Sequence, residues 1–71
     1  MSMYIRVGDV RIDDVINFEG EDLVVVDTSY RRQQGRKMID LVLEVPADRD
    51  DRVVRSLPVE VILTWRGTSL L

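Results

Sequence analysis

Val15-Ile16-Asn17-Phe18-Glu19-Gly20-Glu21-Asp22-Leu23-Val24-Val25-Val26 decides the fold class of this chain. Two apolar runs flank Glu19-Gly20-Glu21, and Gly20 is free to take the positive φ of a tight hairpin turn. Valine is stiff at its β-carbon and packs well on a pleated surface, so both runs read as strands. Leu23 to Val26 is apolar without a break, as in a strand covered on both faces. The polar continuation Asp27-Thr28-Ser29-Tyr30 carries the same strand out towards solvent.

Towards the amino terminus, Met3, Ile5 and Val7 alternate with Tyr4 and Arg6, the pattern of a short strand. Gly8-Asp9 breaks it, Val10 and Ile12 are expected to return to the core, and Asp13-Asp14 to turn the chain. In the other direction, Arg31 to Gly35 reads as a polar hairpin connection. Met38 to Val45 then resumes alternation with Ile39, Leu41, Leu43 and Val45 on one face, and Pro46 closes it. Residues 47–52 are polar after the first and are expected to form a solvated loop. Val53 to Leu57 reads as a short strand, Pro58 as a turn, and Val59 to Trp65 as a last strand with Val59, Val61, Leu63 and Trp65 on one face. Residues 66–71 are expected to be a loose tail. Five to six strands spaced by roughly 8–12 residues indicate a small all-β sandwich or barrel, and a closed barrel suits a chain too short to leave many sheet edges bare.

The 71 residues make one domain, near the lower limit for folding without staples. The chain has no cysteine and no histidine, which removes disulfides, thiolate ligands, the commonest metal ligand and the commonest general base. A net charge of −3 and a pI near 4.7 have the wrong sign for a general nucleic-acid coat. Arginine- and valine-heavy usage points to a GC-rich genome, an actinobacterium or one of its phages. No apolar run reaches the ~20 residues that span a bilayer. Met1-Ser2-Met3-Tyr4 lacks the charged-then-apolar pattern of a secretion signal, so a cytoplasmic location is expected.

The order of elements resembles the amino-terminal domain of bacterial elongation factor P, an SH3-like barrel of the KOW type. The resemblance is carried by residues 15–26, by the basic tip Arg31-Arg32-Gln33-Gln34-Gly35-Arg36-Lys37, and by Arg52-Val53-Val54-Arg55-Ser56-Leu57 after a polar turn. It spans about residues 7–60. It implies an SH3-like barrel of five to six antiparallel strands and, by analogy, an RNA or ribosome partner. In that family the tip carries a lysine flanked by glycines that points at the acceptor end of transfer RNA. Lys37 is the nearest counterpart here and lacks those glycines, and the family's two further barrels have no counterpart in these 71 residues.

Arg31, Arg32, Arg36 and Lys37 place four of the ten basic residues within seven positions of an acidic chain. Such a cluster can grip phosphates, which arginine does bidentately, with Tyr30 and Gln33-Gln34 adding stacking and base-edge hydrogen bonds. The bland alternative is a solvated hairpin whose arginines pair with cross-strand acids such as Asp27 and Asp40. Trp65 is either core edge or an exposed binding anchor. The acids Asp13, Asp14, Glu19, Glu21 and Asp22 lack calcium-loop spacing and read as solvated surface. Asp13-Asp14 cannot act as a catalytic pair, because adjacent side chains point apart. Ser2, Ser29, Ser56 and Ser69 have no histidine base. The expectation is a non-catalytic interaction module with no metal and no cofactor. It would meet a protein partner at the basic hairpin through Tyr30, Arg31, Arg32, Arg36 or Lys37, at the Trp65 end, or along an exposed edge strand that takes up a strand of the partner. An RNA- or ribosome-binding module is the second expectation and a self-associating homo-oligomer the third.

Overall fold

Six strands and one 3-10 turn run through the computed structural model, which describes residues 3–46 and 48–69. They are β1 (Met3–Arg6), η1 (Val7–Asp9), β2 (Asp14–Phe18), β3 (Glu21–Gln33), β4 (Arg36–Val45), β5 (Asp48–Pro58) and β6 (Ile62–Thr68). All pairings are antiparallel, in one sheet of order β1-β6-β2-β3-β4-β5. The all-β reading with five to six antiparallel strands therefore holds. The expected closure of the barrel is corrected: the sheet curls around a core without closing, because among the described residues β1 and β5 pair on one side only and both remain edges. Among the described residues, no helix is long and apolar enough to cross a membrane.

Both β2–β3 and β3–β4 are joined by two-residue turns. Glu19 and Gly20 have φ of 53° and 84°, and Gln34 and Gly35 have φ of 51° and 78°. Positive φ at both central residues is the type I′ signature, whose twist matches that of paired strands. The second turn is tighter than the expected connection from Arg31 to Gly35. Arg31, Arg32 and Gln33 remain in β3, paired with Met38, Lys37 and Arg36.

The core is built from Ile16 of β2, Leu23 and Val25 of β3, and Ile39, Leu41 and Leu43 of β4, capped by Val7 and Val10. Strict alternation after Val25 would turn Asp27 inward. A register shift between Val25 and Asp27 prevents this: Val25 stands opposite Leu43, but Asp27 stands opposite Val42 and Thr28 opposite Leu41. The extra residue, Val26, reverses the facing of everything beyond it. Asp27, Ser29 and Arg31 thus share the outer face with Asp40, and Tyr30 and Arg32 share the face of Ile39.

Four further expectations are corrected. Ile12 is 55% exposed rather than returned to the core. Residues 48–52 are strand, not loop, with Asp48 and Arg52 paired to Val45 and Glu44 across an irregular step. An edge strand needs only backbone hydrogen bonds, and its charged side chains stay in water. The last strand begins at Ile62 rather than Val59, because Val61 N–H turns back to the Pro58 carbonyl at 3.2 Å. Arg66, Gly67 and Thr68 belong to β6 rather than to a tail, and Ser69 N–H donates to the Asp13 carbonyl at 2.6 Å. Leu70 and Leu71 lie outside the described residues.

One end of the open barrel is tied by backbone. Gly8 N–H donates to the Val59 carbonyl at 3.0 Å, and Val59 N–H donates to the Lys37 carbonyl at 3.2 Å. A β-carbon on Gly8 would lie 2.8 Å from that of Val59, so only glycine allows this approach. The tie brings η1 beneath the β3–β4 hairpin, where the candidate site lies.

Candidate binding surface at the hairpin tip

Strand alternation sorts the basic residues of the tip onto two faces. On the outer face, Arg31 Nε lies 2.9 Å from Asp40, its Nη1 donates to Gln33 at 3.1 Å, and its Nη2 donates to Ser56 at 3.2 Å. The Ser56 hydroxyl also donates to Asp40. That hydrogen bond first, and the Arg31 guanidinium second, hold the Asp40 carboxyl below its ordinary value of 3.8. Arg36 pairs with Glu60 at 3.0 Å. These two arginines are already matched to acids, Asp40 and Glu60, and Glu60, like the Ser56 hydroxyl that also bonds Arg31, comes from the β5–β6 region rather than from the hairpin. Asp27, expected to pair with an arginine, instead accepts the Thr28 N–H at 2.9 Å.

On the other face, Arg32 stands directly opposite Lys37. Among the described residues neither forms an ion pair. Like charges facing each other across a ladder repel. Lys37 Nζ sits 5.4 Å from the centre of the Tyr30 ring, within cation–π range. The Tyr30 hydroxyl donates to the Gly8 carbonyl at 2.7 Å, which fixes the ring while leaving Tyr30 52% exposed. Tyr30, Arg31, Arg32 and Lys37 line a shallow depression of about 200 Å³.

Trp65 belongs to a different surface. It stands opposite Met3 and Ile16, half-buried against the core, and lines a small depression with Met3, Arg66 and Gly67. Its indole N–H is buried without a partner among the described residues. The structure therefore brings Tyr30, Arg32 and Lys37 together, sets Arg31 and Arg36 aside in ion pairs, and leaves Trp65 apart.

The acids do not converge. Asp14 is buried and accepts the Arg11 N–H at 2.8 Å, closing the turn before β2, while Asp22 bonds Asn17 at 2.9 Å and Arg66 at 3.4 Å. A third depression, about 290 Å³, has no counterpart among the sequence expectations: Val15, Val24 and Val26 line it with Pro46, rimmed by Asp13, Glu44 and Ser69. The signal was available, since Val15 and Val24 face away from Ile16 and Leu23 and are still apolar. No protein-family model matches the chain, and no curated protein matches it.

Proposed function

We propose that this chain is a non-catalytic interaction module that holds an acidic segment of a protein partner against Tyr30, Arg32 and Lys37. One observation carries the reading: Arg32 and Lys37 oppose each other with no acid between them, beside an ordered aromatic ring. A carboxylate placed between the two cations would relieve their repulsion and accept hydrogen bonds from both. The ordered Tyr30 ring would cover the apolar part of such a segment at little entropic cost. Two unmatched cations on a chain of net charge −3 suit a short acidic segment better than a phosphate backbone.

The second reading is an RNA- or ribosome-binding module in the manner of the elongation factor P amino-terminal domain, with Tyr30 as the stacking platform. A titration of the full chain, followed by amide chemical shifts, separates the two. The probes are a glutamate-rich peptide and a single-stranded RNA oligomer, each at low and moderate salt. The protein-partner reading expects shifts at Tyr30, Arg32 and Lys37 with the peptide and not with RNA. RNA binding with strong salt dependence would install the second reading. No shift with either probe would remove this surface as the functional site.

A further inference from the structure

The two open edges of the sheet differ in chemistry. β5 carries six charged residues among its eleven, Asp48, Arg49, Asp50, Asp51, Arg52 and Arg55. Charge of this density keeps an edge from pairing with another chain. β1 carries one charged residue among four, Arg6, beside Met3, Tyr4 and Ile5. Tyr4 is 70% exposed and Met3 58%, the two most exposed side chains of β1 among the large apolar residues. With a single charge, β1 is the less protected of the two edges.

Its backbone has a defined polarity. The β1–β6 ladder pairs Arg6 with Ile62 and continues through the Val7 N–H, which donates to the Val61 carbonyl at 2.7 Å. In an antiparallel ladder, alternate residues turn both polar groups to the same neighbour. Val7, Ile5 and Met3 therefore address β6, and Tyr4 and Arg6 present their N–H and C=O groups to the open side.

We infer that the β1 edge pairs antiparallel with β1 of a second copy of this chain, about a two-fold axis beside Ile5. In that register Ile5 faces Ile5, and Tyr4 of each copy faces Arg6 of the other. Among the described residues the outward N–H and C=O groups of Tyr4 and Arg6 have no partner, so each such pair exchanges two backbone hydrogen bonds. Their side chains project from the same face of the joined sheet, which sets each guanidinium against a tyrosine ring. Among the described residues, neither side chain has a partner within its own copy. A two-fold placed beside Tyr4 instead would oppose Tyr4 to itself and leave Arg6 beyond the described pairing. The self-complementary order Tyr4-Ile5-Arg6 is what selects a second copy over an unrelated strand.

Sedimentation equilibrium of the full chain tests this. A four-residue edge makes a small interface, so association is expected to appear between ~10 µM and ~1 mM. The mean mass should rise from 8.2 kDa towards twice that value. Tyr4→Arg sets arginine against arginine and should keep the chain monomeric throughout. Tyr4→Arg combined with Arg6→Asp sets arginine against aspartate and should restore the dimer. Circular dichroism on the same samples confirms that these exposed positions leave the fold unchanged. A wild-type chain still monomeric at the highest concentration overturns the inference. So does a Tyr4→Arg variant that dimerises as the wild type does, or a double variant that stays monomeric.

Discussion

Over Leu23–Ser29 and Ile39–Val45 the β3–β4 ribbon lies on the core, with Leu23, Val25, Ile39, Leu41 and Leu43 buried. From Tyr30 through the turn to Lys37 every residue of the same ribbon is exposed. The backbone is continuous, and the ladder runs unbroken from Asp27 to Gln33. What changes is the source of order. At the base, strand pairing is held by apolar burial, which forbids an unmatched charge. At the tip it is held by the turn, by the ion pairs of Arg31 and Arg36, and by the bond from Tyr30 to Gly8. A region ordered without burial can carry Arg32 and Lys37 unmatched, and this makes it the better candidate for binding.

Breaking the base should have the largest effect. Leu41 is fully buried, and Leu41→Ala is expected to cost about 2–5 kcal/mol in urea unfolding. A domain this small holds only about 3–5 kcal/mol, so much of the population should unfold. The join between base and tip comes next. Gly8→Ala drives a β-carbon into Val59 and should cost about 1–3 kcal/mol, with weaker hydrogen-exchange protection of the Val59 amide as the local readout.

The outer face of the tip responds to pH. The folded Asp40 carboxyl is held below its ordinary value of 3.8. Its contribution to stability is therefore complete above that value and is lost as pH falls through the lower, folded one. A carboxyl-carbon titration by NMR should give an Asp40 midpoint below 3.8, moving upward in Ser56→Ala and in Arg31→Met. A midpoint unchanged by both variants would contradict the contacts described here.

The smallest change in stability should come from the residues with the largest proposed role. Arg32→Ser with Lys37→Ser removes a like-charge repulsion and the exposed Lys37–Tyr30 cation–π contact, which oppose each other, so urea unfolding should shift by less than about 0.5 kcal/mol. The same variant should abolish the peptide-induced shifts. If it unfolds the tip instead, the contrast between base and tip fails.

Much of this contrast was legible along the chain. Residues 15–26 identify a hairpin because turn chemistry and valine content act between neighbours, and Ile39, Leu41 and Leu43 are core for the same local reason. The basic tip stood out by composition. Its division into matched and unmatched cations did not, because Ser56 and Glu60 lie 25 and 24 residues from the arginines they meet. The polar segment 48–52 read as loop because an edge strand takes its order from a neighbour's backbone and needs no apolar signal of its own.

Sequence alone determined the strand class, the turn at Glu19-Gly20, the core of β4 and the absence of cysteine and histidine chemistry, since each depends on residue type and local spacing. Tertiary structure decided the bulge at Val26, and with it which face Tyr30 and Arg32 occupy. It also decided that the barrel stays open between β1 and β5. Both outcomes depend on how one strand's backbone pairs with another's, and those hydrogen bonds are blind to side-chain pattern.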